Sequence, residues 1–380
     1  MLKKITLNNY ATFTDESTID FTSTNYKFLE KENVGANKIL KGALFVGENA
    51  SGKTKILNSI KFLLDLLFAN KEMDFSSEKS FYTNKKTFKL EYTFVQENEM
   101  IIYSLEMDPT KIVSEKLTLS DKVILERLGN TAKFMLNDEK IFSDIPNKLP
   151  FLRRIYFDTN FYENKALLNW FDFMKKSIYI NCYTRTIDKY SDESLLVHDY
   201  LENNGVDLIN EFLNKIKYKQ NIEYKKEAKN ENVSFGTVDN KKMIFFSKEG
   251  TNTYIPELLE STGNKTFVEL IPSFLYSVKN DCMIILDEFS SGFHNELEEC
   301  LVKYFFHYSK NSQLFFTTHS TNILNNSIIR PDQIYSVYFS KGAKLKRFSE
   351  EMPRESQNIE KMYLNGVFNG MPKYNKFFED

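Results

Sequence analysis

The stretch that most constrains this chain is the glycine-rich sequence GENASGKT at residues 47–54. It follows the apolar run 43–46, and the segment after it has apolar residues at helical spacing, which predicts a strand, a loop and a helix in that order. The pattern G-x-x-x-x-G-K-T is typical of a loop whose backbone N–H groups, lysine and hydroxyl hold nucleotide phosphates and Mg²⁺. The residues predicted to bind the nucleotide here are Gly47, Asn49, Ala50, Ser51, Gly52, Lys53 and Thr54.

Composition and charge narrow the class of protein. The 380 residues are 42% hydrophobic and 27% charged, which are ordinary values for a folded globular chain. The formal net charge of −2 argues against a protein that coats nucleic acid through bulk charge. We therefore interpret the lysine-rich clusters at 85–86, 225–229 and 344–347 as solvated surface.

Cysteine spacing and hydropathy indicate the cellular compartment in which the protein is expected. Cys182, Cys282 and Cys300 lie far apart and form no C-x-x-C pair, so the sequence predicts neither a disulfide framework nor a zinc site. The apolar stretch 62–68 is interrupted by Asp65 and falls well short of the roughly 20 residues that span a bilayer. We expect a cytoplasmic protein with no membrane partner.

The chain divides by pattern into β-rich and helix-rich parts. A strand-like pattern over 5–21 opens a sheet, and apolar and polar residues alternate over 81–145, which predicts an antiparallel β segment. Helical spacing over 191–218 predicts helices within a lobe at 160–230, with Gly205 ending the first of them. We predict a hairpin at Asp239-Asn240, after which the sheet pattern resumes.

Two carboxylates end a predicted buried strand. The sequence CMIILDEF at 282–289 is an apolar run that closes on Asp287 and Glu288. A nucleotide site needs one carboxylate to hold Mg²⁺ and another to accept a proton from the attacking water or to orient it. Combined with the complete glycine-rich loop, the pair predicts a site of this kind; alone, it would be an ordinary acidic turn.

A histidine follows the next apolar strand. In the sequence QLFFTTHS at 313–320, His319 lies just beyond the predicted strand end. Ligands of doubly wound α/β folds gather at the carboxyl ends of parallel strands. We therefore expect His319, Asp287 and Glu288 to face the glycine-rich loop, with His319 contacting the terminal phosphate.

The stretch ESTGNKT at 260–266 precedes the carboxylate strand and opens a predicted helix. Ser261 and Gly263 would present a hydroxyl and a bare backbone at a helix N-terminus, which suits a terminal phosphate. Such a short pattern is weak alone, and its position between the loop and the carboxylate strand makes it informative.

The order of these motifs resembles that of the ABC-type ATPases, in the branch that holds the SMC, RecF and OLD-family proteins and the AAA_15 and AAA_21 domains. The resemblance implies an α/β fold: an ATPase head with a P-loop α/β core, an antiparallel β segment and a helical insertion lobe. The implied parts are the N-terminal core with the P-loop and β segment at 1–160, the helical lobe at 161–230, and the C-terminal core with the signature, Walker B strand and histidine switch at 231–380.

The resemblance also implies roles for the site residues, with ATP and Mg²⁺ as ligands. Lys53 would bind the β- and γ-phosphates, Thr54 would ligate Mg²⁺, and Asp287 would support the metal. Glu288 would be the general base and His319 would sense the γ-phosphate. The signature residues, Ser261 and Gly263, would contact the nucleotide of a second subunit, so a head-to-tail homodimer or a higher homo-oligomer is expected.

Features outside the motifs point to one group within this branch. No sustained heptads separate Thr54 from Glu260, unlike the coiled-coil arms of SMC proteins, and the segment 320–380 is too short for the Toprim nuclease of OLD-family proteins. The stretches ITLNNYATF, 327–342 and 358–375 resemble the compact bacterial ATPases grouped with RloA and the AbiL abortive-infection system. Such ATPases serve in anti-phage defence with a separately encoded partner, often a Toprim-type RloB nuclease.

Three functions are compatible with these residues: a defence ATPase triggered by DNA or a phage protein, a RecF- or SMC-like DNA maintenance ATPase, and a scaffold locked by nucleotide. The signature lacks the usual leucine, and Pro272 should kink its helix or remove a hydrogen bond. Gln96 is the candidate Q-loop residue, although a hairpin turn explains it better. The stretch SSGFH at 290–294 fits a D-loop with His294, or a helix cap from Ser290 and Ser291.

Overall fold

A computed structural model describes residues 1–371 except 70–72, 137, 160, 162–163, 231–233, 237–240, 249 and 290. The predicted hairpin at Asp239-Asn240 and the cap from Ser290 lie outside the described residues. The helices are α1 (Glu30–Asn33), α2 (Lys53–Phe68), α3 (Phe151–Thr159), α4 (Lys165–Lys175), α5 (Val197–Asn204), α6 (Asp207–Lys215), α7 (Thr262–Lys279), α8 (Asn295–Tyr308) and α9 (Ile359–Leu364).

Within the described part of the chain, the strands form two large sheets and two small ones. They are β1 (Leu2–Asn8), β2 (Ser17–Asp20), β3 (Gly42–Val46), β4 (Phe88–Gln96), β5 (Glu99–Met107), β6 (Ile112–Leu119), β7 (Lys122–Leu128), β8 (Thr131–Phe134), β9 (Lys140–Phe142), β10 (Ile178–Asn181), β11 (Thr186–Lys189), β12 (Gln220–Lys225), β13 (Glu227–Lys229), β14 (Ser234–Gly236), β15 (Met243–Lys248), β16 (Tyr254–Pro256), β17 (Met283–Asp287), β18 (Gln313–Thr317), β19 (Ile334–Phe339) and β20 (Ala343–Arg347). The architecture confirms the predicted α/β fold class.

The core sheet has the strand order β11-β10-β17-β18-β3-β19-β20. Its inner pairs are parallel and its two edge pairs are antiparallel. Every residue of β3, β17 and β18 is buried, because helices and the second sheet cover both faces of a parallel sheet. The three strands are neighbours, so the chain leaves them side by side at one edge of the sheet.

The second sheet is antiparallel, in the order β2-β1-β4-β5-β6-β7-β8-β9. Its strands alternate buried and more exposed residues, as in β5, because one face packs on the helices and the other faces solvent. Tyr92 donates a hydrogen bond to the carbonyl of Ser59 on α2 (2.6 Å), and the Trp170 ring of α4 packs on Phe94. The antiparallel segment predicted for 81–145 is confirmed, and it fixes the position of α2 from one side.

The segment 161–230 is less helical than the sequence predicts. It contains α4, α5 and α6, and Gly205 ends α5 at a φ of 71° as expected. It also contains the four strands β10 to β13, and β10 pairs in parallel with β17 inside the core sheet. A four-residue apolar strand has the same pattern as one turn of a buried helix, so periodicity alone misses it.

Helix α7 runs for 18 residues through Pro272 without ending there. Proline has no backbone N–H, so the carbonyl of Val268 loses one helical hydrogen bond, as the sequence predicts. Pro272 is buried, and burial of its apolar ring offsets that loss. Across the described residues, no helix combines the length and the apolar character needed to cross a membrane.

Candidate nucleotide site

The glycine-rich loop connects β3 to α2 and packs closely on its surroundings. Gly47 has a φ of 150°, and a Cβ atom there would lie 2.1 Å from the carbonyl oxygen of Val337. Gly52 has a φ of 114°, and a Cβ atom there would lie 2.6 Å from Thr12 Oγ1. Both positions therefore require glycine, for their backbone conformation and for space.

The interior of this loop fits an anion. Helix α2 has no side-chain cap on its first turn, so backbone N–H groups of a 16-residue helix point toward the loop. Ser51 is fully buried, and among the described residues its hydroxyl has no hydrogen-bond partner. A buried polar group without a partner calls for a ligand or water to satisfy it. Asn49 and Ala50 lie at the exposed rim of the loop.

Lys53 is folded into the centre of the loop. Its Nζ donates hydrogen bonds to the carbonyl oxygens of Gly47 and Glu48, each at 2.9 Å. Burial lowers the pKa of Lys53, and the carboxylates of Asp287, Glu288 and Glu48 oppose that shift. The site thus holds a nearly buried ammonium group where a phosphate would sit, with carbonyls as its present partners.

Asp287 ends β17 and is buried. Its Oδ1 accepts a hydrogen bond from Thr54 Oγ1 at 3.0 Å and another from Thr317 Oγ1 at 2.8 Å. Its Oδ2 lies 3.5 Å from the Tyr179 hydroxyl. A carboxylate and a hydroxyl are oxygen donors of the kind that Mg²⁺ prefers, so the residues present fit this ion.

Glu288 follows directly and adopts a left-handed backbone conformation with a φ of 55°. Its N–H donates to Thr317 Oγ1 at 2.8 Å, and the N–H of Phe289 donates to the Thr317 carbonyl at 2.9 Å. The side chain is half-buried. Non-glycine residues rarely occupy this region, and such residues concentrate at functional sites.

His319 lies two residues beyond the end of β18, with an exposed side chain. Burial of part of the ring and the charge of Lys53 lower its pKa, while Glu288 and Asp287 raise it. His319 therefore lies within electrostatic reach of Lys53, Glu288 and Asp287. The neutral imidazole is favoured at neutral pH.

Ser261 and Gly263 lie at the start of α7, away from the loop in their contacts. Ser261 caps the helix by accepting a hydrogen bond from the N–H of Asn264 at 3.3 Å. A Cβ atom at Gly263 would lie 2.8 Å from the carbonyl oxygen of Gly292, in the turn after Glu288. Within one chain, these two residues contact α7 and that turn.

The remaining predictions have simpler outcomes. Gln96 ends β4 and pairs with Glu99 across a tight turn, in agreement with the favoured turn interpretation. The cap of α8 is His294, whose Nδ1 accepts from the N–H of Glu296 at 3.3 Å. The alternative that Ser291 caps this helix is wrong, because α8 begins only at Asn295.

Two residues that touch Asp287 were not predicted from the sequence. Thr317 ends β18 and Tyr179 lies within β10, whose last residue, Asn181, pairs with Asp287 in register. Thr317 could have been predicted, because its hydroxyl lies at the end of the apolar strand that precedes His319. Tyr179 could not, because β10 was not recognised from the sequence.

The fold is that of SMC head domains. The chain superposes on the Smc head domain with an extended coiled coil bound to the C-terminal domain of ScpA derived from Pyrococcus furiosus, with a TM-score of 0.52 and 12% identity over 92% of this chain and 97% of that one. The SmcHead bound to the C-winged helix domain of ScpA gives a TM-score of 0.50 and 12% identity over 90% and 97%. At these identities the likeness shows the fold alone.

The family profile described as "AAA domain, putative AbiEii toxin, Type IV TA system" matches residues 43–325, and the chain belongs to this AAA_21 family. No curated protein matches the sequence.

Proposed function

We propose that this chain is a Mg²⁺-dependent ATPase that acts as a head-to-tail homodimer and controls a separately encoded effector in an anti-phage, abortive-infection system. The observation that carries the ATPase part is the hydrogen bond of 3.0 Å between Thr54 Oγ1 and Asp287 Oδ1, beside the buried ammonium of Lys53. Thr54 and Asp287 are far apart in the chain, and the fold brings them into direct contact there.

Each residue of the site would have one task in hydrolysis. Lys53 would leave the carbonyls of Gly47 and Glu48 and neutralise the β- and γ-phosphates. Glu288 would take the proton of the attacking water as the bond between the β-phosphate and the γ-phosphate breaks, releasing ADP and phosphate. Neutral His319 would contact the γ-phosphate. Mg²⁺ held by Thr54 and Asp287 would neutralise charge on the phosphate oxygens.

The dimer part of the proposal is supported by the surface around the signature. Ser261 is exposed and caps its own helix through the N–H of Asn264, so a second subunit can reach it. Leu258 and Leu259, which precede it, are 77% and 67% exposed. Two neighbouring exposed leucines are suited to a protein contact that becomes buried on association.

The defence role is supported by the family description, which refers to an AbiEii toxin and a type IV toxin–antitoxin system. The resemblance to the RloA and AbiL ATPases adds the expectation of a partner such as an RloB-like nuclease, released or activated when DNA or a phage protein interrupts the ATPase cycle. The described fold is that of an ATPase head, which is consistent with a separate effector.

The ATPase and dimer claims are tested with a matched pair of variants. Glu288→Gln should bind ATP, accumulate as a dimer in light scattering, and lose about 10²- to 10⁴-fold in turnover. Glu296→Gln removes the same charge from an exposed position on α8 and should behave like the wild type. Wild-type turnover by Glu288→Gln would exclude Glu288 as the base.

The defence claim is tested by phage plating. The gene with its genomic neighbours should reduce plating in a sensitive host, and Lys53→Ala should abolish the protection. Tagged Glu288→Gln protein recovered from its host should carry a stoichiometric protein partner. Unchanged plating, together with bound DNA and no protein partner, would instead favour a DNA maintenance ATPase.

A further inference from the structure

Thr317, the last residue of β18, is hydrogen-bonded to the predicted metal-binding residue Asp287 and to the predicted general base Glu288. It is 2% exposed. Its hydroxyl donates to Asp287 Oδ1 at 2.8 Å and accepts the N–H of Glu288, also at 2.8 Å. One buried hydroxyl thus donates a hydrogen bond to the Asp287 carboxylate and accepts one from the backbone N–H of Glu288.

These bonds act where the chain leaves β17. The parallel pairing of β17 with β18 ends at Leu286 and Phe316, so regular pairing with β18 stops before Asp287. The Thr317 carbonyl accepts the N–H of Phe289 at 2.9 Å, which continues the connection. Asp287, Glu288 and Phe289 are therefore all tied to one residue of the neighbouring strand.

The backbone of Glu288 needs such support. Its φ of 55° lies in a region that non-glycine residues occupy only when their surroundings impose it. The hydrogen bond from its N–H to Thr317 Oγ1 favours this conformation over the extended alternatives. Loss of that acceptor would leave the direction of the Glu288 side chain less well defined.

Thr317 also holds Asp287 independently of Thr54. Both hydroxyls donate to Oδ1 of Asp287, from opposite elements: Thr54 from α2 and Thr317 from β18. If the Thr54 hydroxyl turns toward a bound ligand, the Thr317 hydroxyl still fixes the carboxylate.

We propose that Thr317 is a positioning residue, whose hydroxyl orients the Asp287 carboxylate and holds Glu288 in the conformation used for ATP hydrolysis. The inference rests on the proposed function of the same site. It adds a residue that acts through others and does not itself touch the nucleotide.

Two substitutions separate the hydroxyl from the shape of the side chain. Thr317→Val keeps the branched shape and removes both hydrogen bonds, whereas Thr317→Ser keeps the hydroxyl and removes a methyl group. In the full-length protein, Thr317→Val should lower kcat about 10- to 100-fold while KM for ATP changes by less than about 3-fold, since small misplacements of catalytic groups cost rate. Thr317→Ser should restore kcat to near the wild-type value.

A second readout does not depend on turnover. Amide hydrogen exchange of the Glu288 N–H should be faster in Thr317→Val than in the wild type and in Thr317→Ser. The Mg²⁺ concentration that half-saturates binding of a non-hydrolysable ATP analogue should rise in the valine variant alone. Circular dichroism melting identifies any variant that fails to fold.

Wild-type kcat and exchange in Thr317→Val would overturn the proposal, as would a serine variant impaired as much as the valine variant. A wild-type protein without ATP turnover would overturn the proposed function instead. In that case, faster Glu288 exchange and a higher half-saturating Mg²⁺ concentration confined to Thr317→Val would still support Thr317 as the residue that orients Asp287 and Glu288.

Discussion

The Cα atom of Gly263 lies so close to the carbonyl oxygen of Gly292 that a Cβ atom at residue 263 would come within 2.8 Å of it. The first turn of α7 is therefore packed against the turn that follows Glu288 in the same chain. Resemblance assigns Gly263 to a contact with a second subunit's nucleotide, whereas this packing gives it a requirement within one subunit as well. It also connects the signature to the carboxylate pair through a single turn.

Replacement of Gly263 by alanine should destabilise the fold by about 1–2 kcal/mol, because the obstacle is backbone and cannot rotate away. Helix propensity alone would favour alanine by about 1 kcal/mol. Urea denaturation measures the free energy of unfolding. Thr262→Ala, at the exposed first position of the same helix, should change it by less than about 0.5 kcal/mol. An alanine variant at 263 that is more stable than the wild type would refute the packing argument.

Lys53→Met should keep the fold and weaken ATP binding at least about 100-fold, because charge-assisted hydrogen bonds to phosphate are lost while the side-chain length is retained. Fluorescent-nucleotide titration gives the Kd. Lys55→Met lies on the same turn of α2, with a half-buried side chain, and should bind nucleotide nearly as well as the wild type. Equal loss in both variants would mean that general positive charge, and not Lys53, governs binding.

Glu115→Ala should destabilise the protein by about 3–5 kcal/mol, because it leaves a buried guanidinium without its carboxylate. Glu115 and Arg127 are both fully buried, 3.5 Å apart, and Glu115 also accepts the N–H groups of Phe151 and Leu152 at the start of α3. Chemical denaturation measures the loss. Glu139→Ala removes an exposed partner of Lys133 and should cost less than about 0.5 kcal/mol. Equal losses of stability in Glu115→Ala and Glu139→Ala would show that burial of the Glu115–Arg127 pair does not cause the loss.

The free energy of unfolding should decrease as the pH rises, because of the buried carboxyl group of Glu298. Burial raises the pKa of Glu298 from 4.5 to about 7, against the smaller opposing effect of the Thr318 and Ser320 hydroxyls. The folded state therefore favours the protonated acid. Through this raised pKa, Glu298 contributes about 3 kcal/mol to the free energy of unfolding. That contribution is fully present below pH 4.5, is lost as the pH rises to about 7, and is absent above that pH.

Glu298→Gln tests this dependence, since the neutral amide has no proton to lose. The variant should gain stability over the wild type in urea denaturation at pH 8 and differ little from it at pH 5. Glu296→Gln, two residues earlier and exposed, should not change the pH dependence. A constant difference between Glu298→Gln and the wild type from pH 5 to pH 8 would contradict the raised pKa.

The parts of the site that lie in continuous stretches were predictable. The strand, glycine-rich loop and helix at 43–68 follow from apolar spacing and loop chemistry, because each interaction joins residues close in sequence. The same holds for the run that ends at Asp287 and Glu288, whose length and apolar character require a buried strand. The cap at Ser261 and the end of α5 at Gly205 are also local preferences of single residues.

Local patterns could not reveal which strands become neighbours. β10 could not be predicted, because four residues are too few to show a strand periodicity. Its place beside β17 depends on the packing of the whole sheet. Strand order alone brings Thr317 and Tyr179 to Asp287, and the crossing of α7 over the turn at Gly292 gives Gly263 its close contact. The sequence by itself determined the chemistry of the glycine-rich loop and the carboxylate strand. The tertiary structure decided which hydrogen bonds orient the residues of the loop and the carboxylate strand. Those bonds connect strands that become neighbours only when the whole chain folds around its buried core.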